Sequence, residues 1–182
     1  MKDTLVFWFT GLSGAGKTTI ANAVSAYYRA MGKEVKIFDG DVVRQELNKN
    51  LGFTPEDIKE NNRLIAQFCR DSGSECDMIF VPIISPFIVS RESAANVIGD
   101  GFRLVYIKSC LQTVQQRDVK GLYQKALAGE IKNFIGIDPE VPYEVPESPD
   151  CVLDTDQECS EESINNLIRY INMELSKTEL VA

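Results

Sequence analysis

The chain has 182 residues, 44% of them apolar and 25% charged, enough for one globular domain with a sizeable core. A formal net charge of −8 argues against general binding to nucleic acid or to anionic membranes, since both require basic patches. The absence of histidine excludes Ser-His-Asp and Cys-His hydrolases and His-ligated metals, and leaves proton transfer to a carboxylate, a lysine or water. Cysteines at 69, 76, 110, 151 and 159 are odd in number and form no CxxC, which points to reduced thiols rather than a disulfide framework or a zinc site. No apolar stretch is long enough to span a bilayer, and the N-terminus runs straight into a short strand, so a cytoplasmic location is expected.

In chain order, Thr4 to Thr10 is a short apolar run rich in strand formers. Gly11 to Lys17 turns it into a helical pattern through Ala21, Val24, Tyr27, Tyr28 and Met31, stopped by Gly32. Val35 to Phe38 predicts a second strand, and Phe38-Asp39-Gly40-Asp41 at its end sets two carboxylates one glycine apart before a helical segment from Val42 to Asn48. Thr54, Pro55 and Asp57 provide an N-cap, a proline at the first helical position and an early acid, so a helix should run from Pro55 to Asp71. Met78 to Ile84 is continuously apolar, as a buried parallel strand would be. A helix over Ser90 to Val97, a strand over Phe102 to Ile107 and a short helix over Leu111 to Arg117 follow. Residues 118–149, rich in Gly, Pro, Lys and Glu, are long enough to form a lid. Cys151 to Leu153 gives a fifth strand, and Ser160 caps a last amphipathic helix carrying Ile164, Leu167, Ile168, Ile171 and Leu175. Alternation of this kind predicts a single doubly wound α/β domain over 1–182, with a five-stranded parallel sheet, helices on both faces and ligands at the carboxyl ends of the strands.

Gly11-Leu12-Ser13-Gly14-Ala15-Gly16-Lys17-Thr18 matches GxxxxGK[ST] at every fixed position, between a predicted strand and a predicted helix. Backbone N–H groups of such a loop, continuing into Thr19, surround the phosphates of ATP, the Lys17 ammonium reaches the β and γ oxygens, and the Thr18 hydroxyl ligates Mg²⁺. No NKxD base reader is present, and the third strand ends without an acid, so a small-molecule kinase is favoured over a GTPase or a motor. Asp39 is then a candidate for holding Mg²⁺, and Asp41 for orienting an acceptor hydroxyl. An ordinary Asx turn with Asp41 as N-cap is the alternative.

The run Asp39 to Arg44, Leu47 to Phe53, Pro55-Glu56-Asp57 and Glu60-Asn61 resembles adenylylsulfate (APS) kinases. So do Ile84-Ser85-Pro86, Arg117 to Tyr123, Ala128 to Lys132 and Gly136-Ile137-Asp138. The resemblance implies a three-layer P-loop kinase fold and ATP-dependent phosphorylation of the ribose 3′-OH of APS to give PAPS in sulfate activation, by a homodimer. It places Asp41, Arg44, Phe53, Asn61, Ile84, Ser85, Lys120, Asn133 and Phe134 at the acceptor, with Arg44 and Asn61 on the phosphosulfate and Phe53 and Phe134 sandwiching the adenine. It also puts Arg117 near the adenine of ATP and Arg91 on the donor side. Ser85 matches a position at which members are described as carrying a phosphoserine, although direct in-line transfer from ATP suffices for the chemistry.

The sequence departs from the family pattern at several positions. Ile58 stands where the family has an arginine that helps hold the phosphosulfate, and Asn133 where it usually has glycine. Phe87 replaces a usual tyrosine, and Lys108-Ser109-Cys110 a usual Asp-Ala-Pro. Lys59, Arg63 or Lys120 are candidates to supply the missing charge. The alternatives are a different nucleotide acceptor, such as a nucleotide phosphoramidate, or a nucleotide-binding domain without transfer.

Overall fold

The computed structural model describes residues 4–40, 43 and 50–181, with side chains from 178 onward left aside. Five strands form one parallel sheet: β1 (Leu5–Thr10), β2 (Val35–Ile37), β3 (Met78–Pro82), β4 (Phe102–Lys108) and β5 (Cys151–Asp154), in the order β2-β3-β1-β4-β5. The described helices are α1 (Lys17–Ala30), α2 (Pro55–Ser72), α3 (Ile88–Ile98), α4 (Leu111–Arg117), α5 (Leu122–Leu127) and α6 (Ser160–Val181).

Strand periodicity explains the three layers. Successive side chains of β1 point to opposite faces, so Leu5, Phe7 and Phe9 join Ile20, Val24 and Tyr28 of α1 and Leu167 and Ile171 of α6 in one core. Val6 and Trp8 join Ile65, Ala66 and Cys69 of α2 and Ala94 of α3 in the other. All six residues of β1 are buried, which is why the strand reads as an unbroken apolar run rather than an alternation. Tyr28 ties the first layer together by donating to Asn172 Oδ1 at 2.8 Å.

Thr54 caps α2 as expected, its hydroxyl accepting from Asp57 N at 3.2 Å with Pro55 at the first helical position, a contribution of about 1 kcal/mol. Ile58, Asn61, Asn62, Ile65, Ala66 and Cys69 share its buried face. The C-terminal half of that face lies on the sheet, so its N-terminal half projects beyond the strand ends.

Two boundaries differ from expectation by two residues, and one segment holds an unexpected helix. β3 stops at Pro82, where the chain tightens and Ile83 N donates to Val81 O at 3.0 Å. Helix α3 starts two residues early, at Ile88, because its first N–H donates to the Glu144 carboxylate at 2.5 Å, a cap supplied from 56 residues downstream. The 118–149 segment contains α5, whose N-terminus is held by Asp118 accepting from Tyr123 N and Gln124 N, each at 3.0 Å. Partial burial raises the Asp118 carboxyl pKa, and the backbone donors of Gln124, Tyr123 and Leu122 outweigh it, leaving it below the ordinary range. Of the helix expected over Val42 to Asn48, only Val43 falls within the described residues, and it is helical.

Candidate active site

The phosphate loop follows directly from the end of β1. Gly11 has φ +148°, and a Cβ there would sit 2.4 Å from the Ile107 carbonyl oxygen, so no other residue fits between β1 and β4. Gly16, at φ +103°, turns the loop into α1. Lys17 therefore stands at the first position of α1, only 7% exposed, and its ammonium donates to Gly11 O at 3.0 Å and Leu12 O at 2.8 Å. The charge is folded across the loop, where an anion seated on the backbone N–H groups would meet it.

One side chain along, the Thr18 hydroxyl donates to Asp39 Oδ2 at 2.9 Å. The first carboxylate of the Asp39-Gly40-Asp41 stretch thus faces the phosphate loop from the end of β2. Asp41 and Arg44 lie outside the described residues.

Opposite the loop is a cavity of about 270 Å³. Its phosphate end is made by Ser13, Gly14, Gly16, Lys17, Thr18 and Thr19. Its far end is made by the projecting face of α2 (Ile58, Asn61 and Asn62), the exposed ring of Phe53, and the turn Ile83-Ile84-Ser85 after β3. The lid closes the top with Lys120, Tyr123 and Ile135.

The lid is tied at both ends of its span. Tyr123 donates its phenol proton to Ser13 O of the phosphate loop at 2.9 Å. On the return, the Tyr143 hydroxyl lies 2.9 Å from Thr10 Oγ1, and Glu144 N donates to Pro86 O at 2.9 Å. Neither tie was foreseen, because each joins residues more than 50 positions apart.

Several expected site residues are placed differently. Phe134 does not line the cavity: its ring meets Tyr123 edge-on at 4.9 Å and packs on the main core, and Ile135 takes the position facing the cavity. Asn133, beside it, has φ +55°, the left-handed region that asparagine tolerates better than other side chains, which accounts for asparagine where glycine is usual. Arg91 is 3% exposed and does not line this cavity. Its guanidinium donates to Ser85 O at 2.7 Å and Glu144 O at 2.8 Å, which makes it a strut between the Ser85 turn and the lid. Arg117 donates to Thr155 O at 2.5 Å, and the Thr155 hydroxyl in turn donates to Ala15 O at 3.1 Å, so Arg117 reaches the phosphate loop from behind through one residue.

Ile58 is 2% exposed and packs with Phe87, Ile135 and Val141. Two departures from the family pattern, Ile58 and Phe87, therefore fall in one apolar cluster that forms the cavity wall. Of the three candidate replacement charges, Lys59 Nζ lies over the Phe87 ring, 5.5 Å from its centroid, and Arg63 is held by both carboxylate oxygens of Glu60 at 2.8 Å. Lys120 lines the cavity.

Ser85 has φ +43°, an unfavourable conformation for serine, and is 2% exposed. Its Oγ accepts from the Trp8 indole N–H at 3.0 Å, and its carbonyl is held by Arg91 and the Thr10 hydroxyl. An indole N–H cannot take a proton from serine, so this contact does not activate a nucleophile. Ser85→Ala should leave the indole N–H unpaired and lower stability by about 1–3 kcal/mol in a denaturant melt, with kcat kept within about tenfold. Complete loss of turnover by a folded variant would instead mark Ser85 as an obligatory intermediate.

The adenylylsulphate kinase family model matches residues 3–154. The adenylyl-sulfate kinase of Bacillus licheniformis is 46% identical over 167 residues, 91% of this chain and 84% of that protein. That of Halothermothrix orenii is 47% identical over 165 residues, 90% and 87% of the two chains. Among solved structures, the Mycobacterium tuberculosis APS kinase CysC in complex with AMPPNP and APS superposes with a TM-score of 0.88 at 36% identity, covering 94% of this chain and 99% of that one. A buried loop lysine, a threonine facing a strand-end aspartate and a lidded cavity beyond them are thus found in a chain that belongs to the adenylylsulphate kinase family.

Proposed function

We propose that the protein transfers the γ-phosphoryl group of ATP to the ribose 3′-hydroxyl of APS, giving PAPS and ADP. The observation that carries this reading is one continuous cavity, with Lys17 and the Thr18–Asp39 pair at one end and Phe53, Asn61 and Lys120 at the other. Phosphoryl transfer asks little covalent chemistry of the protein and depends on position and charge. Loop N–H groups and the Lys17 ammonium hold the ATP phosphates, and Arg117 borders the adenine. Phe53 stacks on the acceptor base, Asn61 and Arg44 bind its anionic tail, Lys120 supplies charge from the lid, and Asp41 orients the 3′-hydroxyl.

The Thr18 hydroxyl and the Asp39 carboxylate are hard oxygen ligands 2.9 Å apart, and no cluster of three metal-binding side chains exists among the described residues. So sparse a protein contribution suits Mg²⁺, which keeps waters and substrate phosphate oxygens in its shell. When bound, it offsets charge on the β and γ phosphates. A homodimer is the expected assembly.

Purified protein with ATP, Mg²⁺ and APS should release ADP in an acceptor-dependent coupled assay. Turnover only with another 3′-hydroxyl nucleotide, such as a phosphoramidate, would favour the second reading, which the buried Ile58 supports. Tight ATP binding without ADP release for any acceptor would leave a nucleotide-binding domain.

A further inference from the structure

Asn62 is 2% exposed, lines the cavity, and its Nδ2 has no hydrogen-bond partner among the described residues. Nothing in the sequence singled it out: it sits on the apolar face of α2, where an amide adjacent to Asn61 reads as a tolerated core residue. A buried donor left without a partner is costly, and in native structures such groups call for a specific explanation. Ile58 is one turn earlier on the same face, and its neighbours Phe87, Ile135 and Val141 are all apolar. None of them can accept a proton from the amide. Among the described residues no acceptor meets this donor, which leaves it open to a ligand in the cavity.

We infer that Asn62 is a specificity-determining residue for the acceptor, donating from Nδ2 to an anionic oxygen of its 5′ phosphosulfate. The inference rests on the APS reading above. With the 3′-hydroxyl directed at Lys17 and the base at Phe53, the acceptor's charged tail is what remains to enter the recess between α2 and the end of β3. There Asn62 lies beside Asn61, so two neutral amides face the anion from one helix. A wall that is aliphatic at Ile58 gives this donor a dry setting, in which a hydrogen bond to an anion is stronger than in water.

Asn62→Leu keeps the volume and removes the donor. The KM for APS should rise about tenfold while kcat and the KM for ATP stay within about twofold. Without ligand, the variant should melt at the same temperature as the wild type or higher, because an unmet polar group has been replaced by an apolar one. Asn62→Asp, which sets a carboxylate against an anion, should raise the KM for APS further than leucine does. An unchanged KM in Asn62→Leu overturns the inference, as does a ligand-free variant that melts below the wild type, since either result gives Asn62 an internal structural role. Failure of the wild type to turn over APS overturns the proposed function by itself, and the ligand-free melting comparison then still decides whether Asn62 is held internally.

Discussion

Replacing Lys17 with methionine is expected to slow acceptor-dependent ADP release by about 10²- to 10³-fold, the usual cost of removing a preorganised charge donor from a transferring group. Methionine has nearly the length of lysine and no charge, so the packing at the start of α1 is kept. The ammonium now donates to Gly11 O and Leu12 O inside the loop, and both carbonyls are left to water or to each other's neighbours when it goes. The melting temperature should therefore fall only slightly, while the rate collapses. A variant within about fivefold of wild type would remove Lys17 from the phosphate site and with it the reading of the loop as the donor's cradle.

Arg91→Met is expected to act the other way, on stability first. Glu144 O loses its donor and Ser85 O keeps only the Thr10 hydroxyl, which should cost about 1–3 kcal/mol and lower the melting temperature by about 2–12 °C. Burial lowers the guanidinium pKa, with Tyr143 and Glu144 nearby opposing the change, the setting of a packed strut rather than of a group waiting for phosphate. The KM for the acceptor should rise, since both the Ser85 turn and the lid return depend on the strut, whereas the KM for ATP should change much less. A normal melting temperature with a raised KM for ATP would restore Arg91 to the donor side.

These two residues mark what the sequence could reveal about the site. Lys17 was legible because its role is local: the glycines, the lysine and the threonine are fixed by one turn of backbone, and strand and helix patterns flank it. The same holds for the cap of α2, spelled by Thr54, Pro55 and Asp57, and for the sheet, whose five strands appear as apolar runs of the right length. The contacts of Arg91 were not legible because its partners are carbonyls, which carry no signature in sequence. The early start of α3 has the same cause, since Glu144 is the cap and lies in another element. Phe134 was matched to the adenine through its motif, yet its ring faces Tyr123, and a pattern does not encode which of two adjacent apolar residues, Phe134 or Ile135, turns inward. Asn62 was passed over for a related reason: a polar residue on a buried face shows its purpose only when its missing partner is seen.

Trp8 is the only tryptophan in the chain, is fully buried, and donates its indole proton to Ser85 at the cavity wall. The protein consequently carries its own optical reporter. Indole emission responds to hydrogen bonding and to local polarity, so any acceptor that shifts Ser85 should alter the fluorescence of a single, unambiguous emitter. Titrating APS without ATP should give a saturable change in that signal, yielding an affinity with no turnover and no label. The same titration on Ser85→Ala, where the contact is absent, should give a weaker response if the bond is what transmits it.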